Sequence, residues 1–257
     1  MVYKVENKDR KKLYPIFKNM SDTLILSYIE GHMGEAYYVD DFKVALIYVN
    51  PFDFLAGDIN SDNIEELLKA IPDQSLLVVE NEEFENLIEE RFKDKANKFK
   101  RYAFVRNIKN FNYDYIKGFI NKLPKNYVLK RIDEQVLKNE SFYNLSEDFI
   151  INFESKEDFL KRGLGYVILK GDKVISGATS FSIYDEGIEI EIDTHKDYRQ
   201  KGLATIVAAK LIIECLDKGI YPNWDAANLI SVYLAEKLSY VLDKEYNTYY
   251  INLKNKK

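Results

Sequence analysis

The chain has one cysteine, Cys215, two histidines, His32 and His195, and a single tryptophan among its 257 residues. A lone cysteine excludes an intrachain disulfide, a paired-thiol redox centre and a paired-cysteine zinc site. Its apolar neighbours Ile213 and Leu216 suggest an inert core thiol. The two histidines lie far apart and no HExxH spacing occurs, so no metal site is expected. No apolar run approaches the roughly 20 residues that span a bilayer. The first 17 residues carry charge throughout, unlike a leader peptide or an anchor. A soluble, cytoplasmic protein with no membrane partner is the expectation. Excess positive charge is also lacking: 37 basic residues face 42 acidic ones, for a net charge of −5. The basic residues are dispersed, with no stripe to displace phosphate counterions, which argues against a nucleic-acid partner. Repeats and low-complexity tracts are absent.

An apolar share of 46% supports a packed core, and the length suits one large domain or two modest ones. Frequent Lys, Asn, Ile and Tyr suggest a bacterial, low-GC genome. Helical and extended patterns alternate over residues 1–110. Helices are expected near 21–29, 63–70 and 83–92, and strands near 36–40, 43–49, 76–79 and 102–105. The pair 36–40 and 43–49 reads as a hairpin around Asp40 and Asp41. An Asn/Lys-rich turn and a helix near 114–123 then lead to Pro124. The expected boundary lies there, with a mixed α/β domain of unknown role over 1–125 and a second domain over 126–257. Beyond it come a strand at 128–132 and a helix opened by Ser155 and closed by Gly163. A meander of strands at 166–170, 174–183 and 188–193 follows, then a long apolar helix over 203–218. A strand at 221–225, a helix near 229–238 and a strand at 246–251 complete the pattern. The fold class is α/β (α+β).

The chemistry is concentrated in EIEIDTHKDYRQKGLATIVAAKLI, residues 189–212, a strand, a short loop and a helix start. A helix start exposes unpaired N–H groups and the positive end of its dipole, which suits a phosphate. Gly202 lets backbone approach an anion without a Cβ, Ala204 keeps the first turn small, and Arg199 and Lys201 add charge. The segment therefore reads as a pyrophosphate cradle. Alone, an R-x-x-G-x-A pattern is weak, and an ordinary strand–loop–helix connection explains it equally well. Within strand 188–193, alternation places Glu189, Glu191 and Asp193 on one face and Ile188, Ile190 and Ile192 on the other. Three acids on one face need water, cationic side chains or a cationic ligand opposite them.

Two motifs in register carry a resemblance. Arg199, Gln200, Lys201, Gly202, Leu203 and Ala204 match Q/R-x-x-G-x-G/A, and the run from Asn228 to Tyr240 follows N-x-x-A/S-x-x-L-x-E-K-x-G-F/Y. Residues 166–251 thus resemble the GNAT superfamily of N-acetyltransferases, in a bacterial two-domain subgroup similar to zwittermicin-resistance-type acetyltransferases. The resemblance implies a mixed sheet splayed beside strand 188–193, with acetyl-CoA as cosubstrate and no metal. Pantetheine would then lie along Ile192, Asp193 and Thr194, and pyrophosphate against residues 199–204. Asn228 would meet the pantetheine or the leaving sulfur, with Ser231 one turn on. Two departures stand out: Ala235 occupies the position of the family's frequent tyrosine acid, and Ser239 replaces a glycine. Tyr233, two residues earlier, points elsewhere on the helix.

The expected reaction is direct acetyl transfer to a primary amine of a small molecule. Glu191 is the first candidate for the base that frees the amine, with Glu189 and Asp225 behind it. Asp225 reads first as a cap for the helix that begins near Asn228, and otherwise as a holder of the substrate amine. The rival reading is a catalytically weak sensor or scaffold that binds acetyl-CoA, with Ala235 as its mark. A longer acyl donor is a third option. The N-terminal domain has three open roles: shaping the acceptor site, forming a homodimer, or neither.

Overall fold

The computed structural model describes residues 1–254. The chain folds as two compact units, Met1–Arg101 with Glu245–Lys257, and Tyr102–Lys244. In chain order the first contains β1 (Tyr3–Lys4), α1 (Thr23–Ile29), β2 (Glu35–Val39), β3 (Val44–Val49), β4 (Phe52–Gly57), α2 (Ile64–Leu68), β5 (Ser75–Val79) and α3 (Glu82–Phe92). Strand β6 (Ala96–Phe104) carries the chain into the second unit. That unit contains α4 (Tyr113–Ile120), β7 (Val128–Arg131), α5 (Glu140–Leu145), α6 (Lys156–Arg162), β8 (Gly165–Lys170), β9 (Lys173–Tyr184) and β10 (Gly187–Thr194). It continues through α7 (Leu203–Asp217), β11 (Tyr221–Asn223), β12 (Asp225–Ala226) and α8 (Leu229–Lys237), and β13 (Leu242–Ile251) returns to the first unit.

The first unit orders its strands β1-β2-β3-β4-β5-β13. The expected hairpin is β2–β3, and its turn holds Asp40, Asp41 and Phe42 at positive φ. Helix α3 shows how sequence periodicity becomes packing. Asn81 caps it by accepting from Phe84 N, and Phe84, Ile88 and Phe92, four residues apart, are all buried. They meet Leu46, Leu55, Leu77, Tyr249 and Ile251 in one core. Tyr249 and Ile251 reach it because β13 pairs with β5, Tyr249 opposite Leu77 and Ile251 opposite Ser75.

The second unit is built on the sheet β11-β10-β9-β8-β7, with β10–β11 parallel and the other pairs antiparallel. Opposite faces are covered by different elements. A Cβ built on Gly177 would lie 2.7 Å from the ring of Phe149, which sits in a 3-10 turn after α5. Tyr166 lies opposite Ala178, the next residue of β9, and donates to Glu214 of α7 at 2.9 Å. Side chains alternate along a strand, so α7 covers one face and the Asp148–Ile150 turn covers the other. Helix α7 is apolar nearly all round because α4 packs on its outer side. The sequence boundary at residue 125 therefore lies inside the second unit, after α4, while the compact division falls at Arg101 and Lys244. Sequence periodicity also passed over β4, α5 and the 3-10 segments.

Candidate active site

The site begins with a parting of strands. Strand β10 stays antiparallel to β9 through Thr194, opposite Ser176, with a one-residue bulge between Glu189 and Ile190. Its parallel ladder with β11 has three rungs and ends at Glu189 opposite Asn223. Beyond Trp224 the chain turns away, and Asp225 and Ala226 pair with Ala103 and Tyr102 of β6. Among the described residues no strand pairs with residues 190–194 on the side opposite β9. This is the splay that the resemblance implied.

The backbone direction along this edge follows from the ladder. His195 N donates to Ile175 O on the β9 side, and backbone groups alternate sides along a strand. Glu191 and Asp193 thus direct their amides at β9, whereas Ile192 and Thr194 direct theirs into the gap. The groups of Thr194 are already engaged: its N–H donates to Asp193 Oδ1 at 2.6 Å, and its carbonyl accepts from Arg199 Nε at 3.0 Å. Of the three residues expected along a pantetheine, Ile192 and Thr194 face the gap, and Thr194 is the one already bonded. Arg199 folds back on the strand, with its Nη2 3.6 Å from Asp193.

After Thr194 comes the 3-10 turn Lys196–Tyr198 and then the loop of residues 199–202. Gln200 and Gly202 both hold left-handed backbone, at φ +60° and +75°. Gly202 is the N-cap of α7, no side chain caps the helix, and a Cβ built on Gly202 would meet nothing within 4 Å. The first intrahelical bond runs from Ile206 N to Gly202 O, so the amides of Leu203, Ala204 and Thr205 precede the helical ladder. A turn with positive φ and open space before a 15-residue helix fits an anion. Lys201 stacks over Tyr198 and donates to Asp197 O at 3.0 Å.

The candidate acids separate. Glu189 is buried at the last rung, where its Oε2 accepts from Asn223 Nδ2 at 2.6 Å. Burial raises the phenol pKa values of nearby Tyr184, Tyr221 and Tyr240, and the negative charge of Glu189 raises them further. Glu191 is half-buried opposite Thr179, and Asp193 is half-buried opposite Gly177, on the face of the Asp148–Ile150 turn. Burial pushes the Asp148 carboxyl up, and Glu147 and Asp193 add to the shift. No sequence signal marked Asp148, because it lies in irregular backbone and reaches the acidic face only through folding. Asp225 is half-buried in β12 and does not cap α8. That cap is Asn228, whose Oδ1 accepts from Ser231 N at 3.0 Å, the geometry that Asn favours in the extended backbone preceding a helix. Ser231 Oγ accepts from Trp224 Nε1 at 3.1 Å. Ala235 is fully buried, and Tyr233 is 67% exposed. Cys215 is buried, as expected, and burial raises its thiol pKa.

Comparison with known proteins agrees with this geometry. The profile of the GNAT acetyltransferase family matches residues 14–249, spanning both units. The uncharacterized N-acetyltransferase YdfB of Bacillus subtilis is 29% identical, over 93% of this chain and 96% of its own. A crystal structure of a GCN5-related N-acetyltransferase-like protein from Streptococcus suis has 37% identity and a TM-score of 0.88, covering 95% of this chain and 99% of that one. A GCN5-related N-acetyltransferase from Kribbella flavida, at 10% identity and a TM-score of 0.57 over 83% of this chain and 88% of its own, shares the fold. The chain belongs to the GNAT acetyltransferase family, and it is an enzyme of the acyltransferase class.

Proposed function

We propose that the protein transfers an acetyl group from acetyl-CoA directly to a primary amine of a small molecule. The observation that carries this reading is the open edge of β10 leading into the left-handed Gly202 and the uncapped start of α7. Pyrophosphate lies against the amides that begin α7, where a phosphate gains both unpaired N–H groups and the helix dipole. Pantetheine runs along the β10 edge, and Ile192 N–H is the donor available to the thioester oxygen as it gains negative charge. The amine nitrogen attacks the carbonyl carbon, the C–S bond breaks, and the thiolate leaves and takes a proton from water. Glu191 accepts the amine's proton. Its half-buried position beside Ile192 leaves it reachable, whereas Glu189 is buried and held by Asn223. Glu147, Asp148 and Asp193 near the same face favour a cationic acceptor, polyamine-like or aminated-antibiotic-like.

Calorimetry with CoA, paired with thiol release from acetyl-CoA across a panel of amines, tests the reading. Tight binding with amine-dependent thiol release is expected, and failure of CoA to bind would overturn it. The buried Ala235 favours one second reading, an acetyl-CoA-binding sensor. Binding without turnover on any amine would select that alternative.

A further inference from the structure

Beside the α7 start lies a group of cations that the transfer reaction leaves unexplained. Lys170 and Lys173 close the β8–β9 hairpin as its last pair, at the sheet end where β10 finishes opposite Ser176. Lys170 Nζ and Lys201 Nζ lie 5.4 and 4.9 Å from the centre of the Tyr198 ring. Lys173 Nζ is 3.1 Å from His195 Nε2, and the His195 ring packs edge-on to Tyr198 with centres 5.6 Å apart. Three ammonium groups from two different segments therefore gather around Tyr198 and His195. Among the described residues none of the three forms an ion pair with a carboxylate. Some lysines elsewhere among the described residues do so, as Lys98 does with Glu85 and Glu89, and others, such as Lys109 and Lys117, do not. Asp197 is the nearby acid recorded on this cluster, 3.7 Å from His195 Nδ1 and largely exposed.

Three ammonium groups on one side of the sheet end, with only the exposed Asp197 recorded beside them, raise the local potential and favour an anion of high charge density. The pyrophosphate does not need these side chains, because the backbone amides of α7 serve it. The remaining anion of CoA is the phosphomonoester on the ribose 3′ oxygen, a dianion near neutral pH. We infer that Lys170, Lys173 and Lys201, arranged around Tyr198, form the subsite for the 3′-phosphate of the acyl-CoA donor. The inference rests on the CoA reading above. It adds a selectivity: the protein distinguishes CoA from 3′-dephospho-CoA, and the nucleotide end of the donor lies over the β8–β9 hairpin.

Calorimetry with CoA and with 3′-dephospho-CoA, on the wild type and on a Lys170→Ala/Lys173→Ala double variant, tests it. Exposed ion pairs contribute about two- to fivefold each, so wild type should prefer CoA by roughly tenfold at low salt. The preference should shrink in 0.5 M salt, where the Debye length is only about 4 Å. In the double variant it should fall below about threefold, entirely through weaker CoA binding, with 3′-dephospho-CoA affinity unchanged. Equal wild-type affinity for the two nucleotides overturns the subsite, as does equal weakening of both by the double variant. A Gly202→Glu variant serves as the separate arm, because it removes the pyrophosphate contact common to both nucleotides. If neither nucleotide binds the wild type, the donor reading falls and the subsite falls with it.

Discussion

A buried carboxylate in each unit is held differently, although Thr179 and Ser182 of the second unit also bury hydroxyls without a hydrogen-bond partner among the described residues. In the first, Asp53 is fully buried as the second residue of β4, and neither carboxylate oxygen has a hydrogen-bond partner among the described residues. Burial pushes its pKa up to about 7, and Ser75 beside it offsets the shift only in part. In the second, buried Glu189 accepts from Asn223, and buried Thr194 bonds to Ser176 at 2.7 Å and to Asp193 and Arg199. These bonded groups line the strand that borders the gap. The difference separates two uses of a buried polar atom. Asp53 couples the first unit's stability to protonation, whereas the bonds of Glu189 and Thr194 fix the shape of the β10 edge.

The largest expected effect falls on that edge. Gly202→Glu places a carboxylate in open space before α7 and should weaken CoA binding at least about 100-fold, since one lost charge-assisted contact and one added repulsion act together. Gly202→Ala is the control. It bears the same left-handed strain, of about 1 kcal/mol, without the charge, and should retain binding to within about tenfold. Unchanged CoA affinity in folded Gly202→Glu would remove the cradle from α7.

Glu191→Gln comes next and separates chemistry from binding. Turnover should fall by about 10²–10³-fold, most steeply at low pH, with CoA affinity kept. A loss below about tenfold would transfer the role to Glu189, Asp225 or water. Equal losses in affinity and rate would make Glu191 a structural carboxylate.

Asp53 sharpens the other side of the comparison. Unfolded, its carboxyl ionises near its ordinary 3.8; folded, it does so near 7. Between these values the folded state binds the extra proton, so this group's contribution is full below about pH 4, declines as pH rises, and levels off above about pH 7. Asp53→Asn should flatten that decline, which amounts to about 4 kcal/mol. Denaturant melts of both proteins between pH 4 and 8 provide the measurement, and parallel profiles would refute the assignment.

The smallest effect belongs to the cap. Asn228→Ala should cost about 1 kcal/mol of stability, lowering Tm by about 2–4 °C. A larger loss of CoA affinity than of stability would show that Asn228 also touches the donor.

Some of this was legible before folding. Helix α3, the β8–β9–β10 meander, and the loop and helix around Gly202 depend on local period, turn residues and caps, and each appears where periodicity placed it. The Asp225 cap was misread because Asp225, Asn228 and an apolar run lie within a few residues, and only backbone pairing with Ala103 removes Asp225 from the helix start. The boundary at residue 125 followed a composition change, which could not register that α4 packs on a helix more than 80 residues downstream.

The sequence by itself determined the local devices: the left-handed glycine before α7, the acids alternating with isoleucines on β10, and the apolar helix behind them. Backbone conformation and side-chain period within a few residues suffice for each. Tertiary structure alone decided that β10 parts from β11 after Glu189, that Asp148 lies near Asp193, and that Lys170 and Lys201 converge on Tyr198 with Lys173 on the neighbouring His195. These depend on which distant segments pair and where the pairing stops. That is set by competition between partners across the whole unit, which no window of neighbouring residues contains.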